Sequence, residues 1–116
     1  MIEAPALAHM QNAPTAEPIT LVLCWTAQPD LSAAEAAPSR RERTEAARQA
    51  YSAIKQDVVH ELERAGSVSV QDLPGTANAL ATATAEAWLG IAPLLADRAD
   101  VKVVPNRTVA FAPGRT

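Results

Sequence analysis

The sequence predicts an α+β fold in which an antiparallel sheet carries two helices on one face. Three patterns predict it: a β-branched apolar run at residues 19–25, a long amphipathic helical pattern at 39–65, and a strand, helix and strand in succession over 78–104. The 116 residues are enough for one domain with a modest hydrophobic core.

The first elements follow from composition and periodicity. Residues 1–18 are rich in Ala and Pro and show no sustained period, which predicts a flexible N-terminal arm. Residues 19–25 form a continuous apolar run, which predicts a strand buried on both faces or nearly so. Residues 26–38 contain Pro29 and Pro38 and are predicted to be a loop.

Residues 39–65 carry the clearest helical signal. Ser39 is a predicted N-cap and Gly66 a predicted left-handed residue after the helix. Three arginines near the N-terminus face the positive end of the helix dipole, which is unfavourable, and we interpret them as a solvated helix start. Lys55 is predicted on another face of the helix. The apolar positions recur every three or four residues and are Ala47, Tyr51, Ile54, Val58, Leu62 and Ala65.

The second half of the chain predicts three more strands and another helix. Residues 67–71 alternate as a half-exposed strand, a Pro-Gly turn follows at 73–76, and residues 78–83 are the returning strand. Thr84 caps a helix over 85–96, in which Pro93 predicts a bend or break near 89–92. With a last strand at 101–104, the order is β-α-β-β-α-β, the ferredoxin-like arrangement, with one sheet face left open.

Composition excludes several classes of function. The net charge of −3 gives no electrostatic case for binding nucleic acid or an acidic membrane surface. No apolar run approaches the roughly 20 residues that span a membrane. No secretory signal is visible, so we expect a cytoplasmic protein or one whose leader has been removed. Alanine makes up more than a fifth of the chain, which predicts a weak core and low thermal stability.

Catalytic and metal-binding patterns were sought without result. His9 lies in the predicted arm, and His60 beside Glu61 is interpreted as a solvated helix residue, because no further ligand converges on it. Cys24 is the only cysteine and is interpreted as a buried strand thiol. Trp88 is interpreted as a core residue. We therefore expect no enzyme activity, no cofactor and no metal site.

The end of the chain resembles the inhibitor-type propeptides of subtilisin-like serine proteases. The resemblance covers residues 19–112 and is densest in three stretches. These are Asn78-Ala79-Leu80-Ala81, then Leu94-Leu95, and then Asp100-Val101-Lys102-Val103-Val104-Pro105-Asn106-Arg107-Thr108-Val109. The resemblance implies three parts: the arm at 1–18, an inhibitor domain at 19–112 and a tail end at 113–116.

The resemblance also implies a partner and a mode of binding. The open sheet face would pack on a subtilisin-like catalytic domain, in cis or in trans, and Asn106 would dock on it. The residues after the last strand would enter the active-site cleft as an added strand. Two positions depart from the family pattern: Val104 stands where many relatives have Glu, and Pro113 cannot donate a strand hydrogen bond. The implied cleft-binding residues are Thr108, Val109, Ala110, Phe111, Ala112, Pro113, Gly114, Arg115 and Thr116.

Two other functions remain open on sequence grounds. One is a non-catalytic ferredoxin-like domain that binds a protein or a small ligand, since this fold hosts many functions. The other, an enzyme of the acylphosphatase kind, is disfavoured. Its chemistry requires an Arg on a phosphate-cradling loop next to an Asn, and the loop after Trp25 contains neither.

Overall fold

The computed structural model describes residues 1–106 of the chain. This range contains four strands and four helices. Their bounds are α1 Ala4–Asn12, β1 Pro18–Trp25, α2 Ser32–Ala36, α3 Arg40–Ala65, β2 Ser69–Asp72, β3 Asn78–Thr84, α4 Ala85–Ala96 and β4 Val101–Pro105.

The strands form one four-stranded sheet in the order β2-β3-β1-β4, and every neighbouring pair is antiparallel. Strand β1 lies at the centre, where Val22 stands opposite Leu80 of β3 and Val104 of β4. The predicted α+β class with an antiparallel sheet is therefore confirmed.

Helix α3 begins and ends where the sequence predicted. The Ser39 hydroxyl accepts a hydrogen bond from the amide of Glu42 at 3.1 Å, which satisfies one of the free amides of the first turn. Gly66 has φ +82°, a conformation that glycine adopts without the steric cost of a Cβ, and its amide bonds the carbonyl of Glu63. The helix buries Val58 and Leu62 against the sheet.

Lys55 departs from the predicted pattern of α3. The sequence placed it on a face away from the apolar stripe, but the residue is only 2% exposed. Its ammonium donates to Asp72 Oδ1 at 2.6 Å, to the carbonyl of Asn78 at 2.8 Å and to that of Leu73 at 3.2 Å. All three donors are satisfied, which is the condition under which a buried ammonium is tolerated.

The predicted flexible arm at 1–18 was wrong for most of its length. Residues 4–12 form α1, with Pro5 in the first turn, where a missing N–H costs nothing. Ala6 and Met10 are fully buried and join the main core. Two buried residues four apart on one face suffice to dock a short helix, although such a pattern is too brief to be recognised by periodicity.

Helix α4 runs unbroken through Pro93, so the predicted bend or break does not interrupt it. The carbonyl that loses its helical partner belongs to Leu89, a residue that is 40% exposed. Thr84 caps the helix as predicted, accepting from the amide of Ala87 at 3.2 Å. The predicted loop at 26–38 also contains the short helix α2, which packs on α3.

Small side chains dominate the core where β3 crosses it. The core-facing residues of this strand are all alanines, namely Ala79, Ala81 and Ala83. The large side chains opposite them come from β1 and α4, including Trp88, which is fully buried and donates its indole N–H to the carbonyl of Ile19 at 2.9 Å. The interpretation of Trp88 as a core residue is therefore confirmed.

Candidate functional site

The face of the sheet opposite the core helices is the candidate site. Strand β1 alternates strictly between buried and half-buried residues, so only one of its faces is fully covered. The prediction that β1 is buried on both faces or nearly so holds fully for one face only, because the outward residues are half-buried. These residues include apolar Val22 and Cys24, which hide the alternation in the sequence. We call the outward residues the open face: Thr20, Val22, Cys24, Ser69, Gln71, Asn78, Leu80, Thr82, Lys102 and Val104.

The middle of the open face is an apolar row. Leu80, Val22 and Val104 stand directly opposite one another on β3, β1 and β4, and all three are half-buried. Such cross-strand neighbours have Cβ atoms about 4.5–5.5 Å apart, so the three side chains form one continuous surface. This surface gives a partner an apolar patch to bury, framed by polar positions.

A hydroxyl pair flanks the apolar row on one side. Thr20 and Thr82 lie opposite each other, and their hydroxyl oxygens are 2.8 Å apart in a hydrogen bond. Ser69 stands next to Thr82 on β2 and is exposed. These hydroxyl side chains are short and project little from the sheet, so a helix or a strand of a partner can approach its backbone closely.

On the other side of the row lie Asn78, Cys24 and Lys102. Lys102 forms an ion pair with Glu3, 3.1 Å from its Nζ to Oε2 of the carboxylate. Burial raises the pKa of the Cys24 thiol above its ordinary value, and nearby Lys102 offsets this only in part. The thiol is therefore protonated at neutral pH, which makes it a poor nucleophile.

The N-terminal residues cover the outer edge of β4. The amide of Val103 donates to the carbonyl of Met1 at 2.8 Å, and the amide of Glu3 donates to the carbonyl of Val103 at 2.9 Å. Ile2 forms a parallel bridge with Val103 between these bonds. A partner strand therefore finds this edge occupied, and the open face is the larger free surface of the sheet.

The predicted docking residue Asn106 directly follows β4 and is half-buried. It follows the strand that carries Val104 and Lys102 of the open face. The predicted cleft-binding residues, Thr108 through Thr116, lie outside the described residues. The departure at Val104 from the family pattern places an apolar residue in the central row.

Sequence reasoning expected an open face but named none of its residues as a site. The alternation in residues 78–84 shows which residues of β3 point outward, whereas in β1 it is masked by apolar residues on both faces. Which outward residues stand side by side depends on register, and the sequence does not show register directly. The ion pair of Lys102 with Glu3 was missed because residues 1–18 were predicted to be an arm.

The described part of the chain offers few other candidate catalytic or metal-binding side chains. His60 is exposed on α3, and Glu61 is engaged by Arg98 at 3.0 Å. Residues 1–106 hold no group of three or more His, Cys, Asp or Glu side chains placed to bind a metal ion. Across the same residues, no helix has both the length and the apolar character needed to cross a membrane.

Comparison of the chain with protein-family models, with curated proteins and with solved structures found no match.

Proposed function

We propose that this chain is a propeptide-like inhibitor of a subtilisin-like serine protease. In this proposal it docks on the catalytic domain through the open face, and residues 108–116 occupy the active-site cleft. The chain itself carries out no catalysis and needs no cofactor. The proposal includes assignment of the domain to the ferredoxin-like arrangement, which agrees with the strand order β2-β3-β1-β4 and with α3 and α4 as the two crossover helices.

The observation that carries the proposal is the position of the open face relative to the chain exit. The apolar row of Leu80, Val22 and Val104 ends on β4, and the chain leaves this strand at Pro105. A protein docked on the row would therefore lie next to the start of the C-terminal segment. The ten residues after Asn106 span about 33 Å when extended, which is enough to follow a substrate cleft.

The C-terminal segment has the composition that this mode of binding requires. In an added strand, main-chain hydrogen bonds supply affinity and alternate side chains enter pockets. Val109, Ala110, Phe111 and Ala112 give four consecutive apolar residues with one large side chain. Pro113 donates no hydrogen bond, so we place the continuous pairing before it.

A substitution in the apolar row tests the docking step. Val22→Glu adds a charge at the centre of the open face, and we expect it to raise the inhibition constant against a broad-specificity subtilisin-like protease by about tenfold or more, from the desolvation of an unpaired carboxylate. Gln56→Glu on exposed α3 adds the same charge elsewhere and is the matched control. Circular dichroism establishes that both variants are folded. Equal inhibition by the two variants would refute docking through the open face.

A second candidate function is a non-catalytic domain that uses the open face to bind a second copy or a small ligand. The observation that favours it is the apolar row itself, since such a surface is suited to self-association without any contribution from the tail. Light scattering distinguishes the two functions. A stable dimer that is lost in Val22→Glu, together with no protease inhibition, would support this alternative.

A further inference from the structure

Three arginines on the N-terminal half of α3 form a surface separate from the open face. We name Arg40, Arg41 and Arg48 the arginine cluster. Together with Thr44 and Glu45 they line an open groove of about 610 Å³. Positions 41, 44, 45 and 48 follow the three- and four-residue spacing that places them on one side of the helix. All five residues are exposed.

Within residues 1–106, no ion pair neutralises the charges of the arginine cluster. In the part of the chain that the structure describes, the ion pairs involve Lys55, Arg98 and Lys102, and none includes a member of the cluster. Residues 40–48 contain four arginines and two glutamates, so this stretch is positive in a chain whose net charge is −3. Positive charge at the N-terminus of a helix also opposes the helix dipole. An anion bound here would offset both repulsions.

The backbone adds donors at the same place. The amides of Arg40 and Arg41 are the first two of α3 and have no acceptor within the helix, whereas Ser39 already satisfies that of Glu42. Arginine side chains on a helix lean towards its N-terminus. Both the guanidinium groups and these amides are donors suited to carboxylate oxygens.

The stem of Arg48 lies beside the turn between β2 and β3. A Cβ built on Gly75 would lie 3.9 Å from Cγ of Arg48, which is ordinary contact distance. The groove extends along α3 from Arg40 to Arg48, about 12 Å at 1.5 Å per residue. This length matches a few residues of extended peptide and is short for a nucleic-acid duplex.

From these observations we propose that the arginine cluster binds an acidic segment of a protein partner, through carboxylates held by Arg41, Arg48 and the free amides of α3. Glu45 lies within the groove and opposes such a segment, so it weakens the interaction. The site is independent of the proposed inhibitory function, because it shares no residue with the open face or the C-terminal segment.

The test uses the full chain and a fluorescent peptide of six consecutive glutamates, followed by anisotropy at low salt of about 20 mM, where screening is weak. We expect saturable binding that Arg41→Ala and Arg48→Ala each weaken about fivefold, the range for loss of one charge-assisted pair. Arg64→Ala removes the same charge from the exposed C-terminal end of α3 and is the matched control, with an expected change below about twofold. Glu45→Gln is expected to strengthen binding.

Three results would overturn the proposal. The first is the absence of saturable binding at low salt. The second is equal weakening by Arg64→Ala and Arg48→Ala, which would show attraction to net charge without a defined site. The third is tighter binding of a single-stranded oligonucleotide of equal charge than of the glutamate peptide, which would show that the cluster prefers phosphates.

Discussion

At the residue scale, two buried tryptophans differ in the environment of the indole N–H. Trp88 Nε1 donates to the carbonyl of Ile19, whereas Trp25 Nε1 is buried and makes no hydrogen bond to the described residues. Leaving a buried donor without a partner costs about 1–3 kcal/mol. The two residues therefore form a natural pair for measuring what a single hydrogen bond contributes to this core.

Trp25→Phe and Trp88→Phe make the same chemical change at these two positions. We expect Trp88→Phe to lower the free energy of unfolding by about 1–2 kcal/mol more than Trp25→Phe does, since the first removes a hydrogen bond and the second removes a donor that has no partner. Urea denaturation of both variants measures the difference. A larger loss in Trp25→Phe would contradict the hydrogen-bonding described for these residues.

A charged pair at the loop before β4 gives the stability a predictable pH dependence. Arg98 donates to both oxygens of Asp100 at 3.0 Å, and this hydrogen bonding lowers the pKa of Asp100 below its ordinary 3.8. A carboxylate whose pKa is lower in the folded than in the unfolded protein stabilises the fold at any pH above its pKa in the unfolded state. This contribution is lost as the pH falls through its pKa in the folded state. The pair is partly exposed, so the effect is small.

The variant Asp100→Asn tests this linkage. We expect it to be less stable than the parent chain at pH 7, with the difference shrinking as the pH is lowered below about 4. Thermal unfolding followed at several pH values gives the comparison. A difference that stays constant down to pH 2.5, or that grows, would show that the carboxylate charge is not responsible.

At the scale of elements, α1 is the part of the fold that sequence reasoning missed. Long elements with many periodic residues were predicted to within one or two residues, as α3 and β3 show. Helix α1 has two fully buried side chains, and the pattern of Ala6 and Met10 alone is too short to separate from chance. What establishes α1 is tertiary packing on α4 and β4, which the local sequence does not display.

Met10→Ala measures how firmly α1 is held. Met10 is fully buried, so we expect a loss of about 2–5 kcal/mol in the free energy of unfolding from lost contacts and the cavity left behind. Gln11→Ala on the exposed side of the same helix is the control, with an expected change within about 0.5 kcal/mol. Similar values for the two variants would indicate that α1 does not contribute to the core.

Lys55 links α3 to the hairpin of β2 and β3. In Lys55→Met the carbonyl of Asn78 loses its 2.8 Å hydrogen bond, and that of Leu73 keeps only its bonds from Thr76. We expect the free energy of unfolding to fall by about 1–3 kcal/mol. Asp72→Asn keeps Lys55 in place, and the Asp72 side chain is 46% exposed, so we expect a loss below about 1 kcal/mol. Urea denaturation compares the two variants, and equal losses would place the stabilisation in the ion pair alone.

The hydrogen bonds of Lys55 also explain an error of prediction. A lysine is seldom fully buried, and the predicted position of Lys55, on a face away from the apolar stripe of α3, gave no reason to place it inside. Only the approach of the hairpin turn supplies the three acceptors that make burial possible. Residue type and periodicity cannot reveal such a partner, since the turn is 17–23 residues away in the chain.

At the scale of the whole molecule, the α+β class with an antiparallel sheet followed from the sequence, whereas the arrangement of the site did not. The cross-strand row of Leu80, Val22 and Val104 depends on register across three strands. The core is rich in small side chains: six of the seventeen buried hydrophobic residues in the described part are alanines. The prediction of low thermal stability therefore stands, and a melting temperature above about 80 °C would contradict it.

In the inhibitory proposal the protein has two functional parts, the open face that docks on the protease and the C-terminal segment that blocks its cleft. The open face supplies the docking area, and the residues after Asn106 supply the competition with substrate. The two parts make different predictions, because loss of the segment leaves the open face intact. A protein that bound only through its sheet would occupy the protease without blocking its cleft.

Progress curves of a broad-specificity subtilisin-like protease, recorded with the full chain and with a chain lacking residues 108–116, test this claim most directly. We predict competitive inhibition at or below about micromolar concentration by the full chain. We predict that inhibition is lost in the shortened chain, while a binding assay still detects docking. Full inhibition by the shortened chain would contradict the account, as would the absence of inhibition by a full chain that forms a stable dimer through its open face.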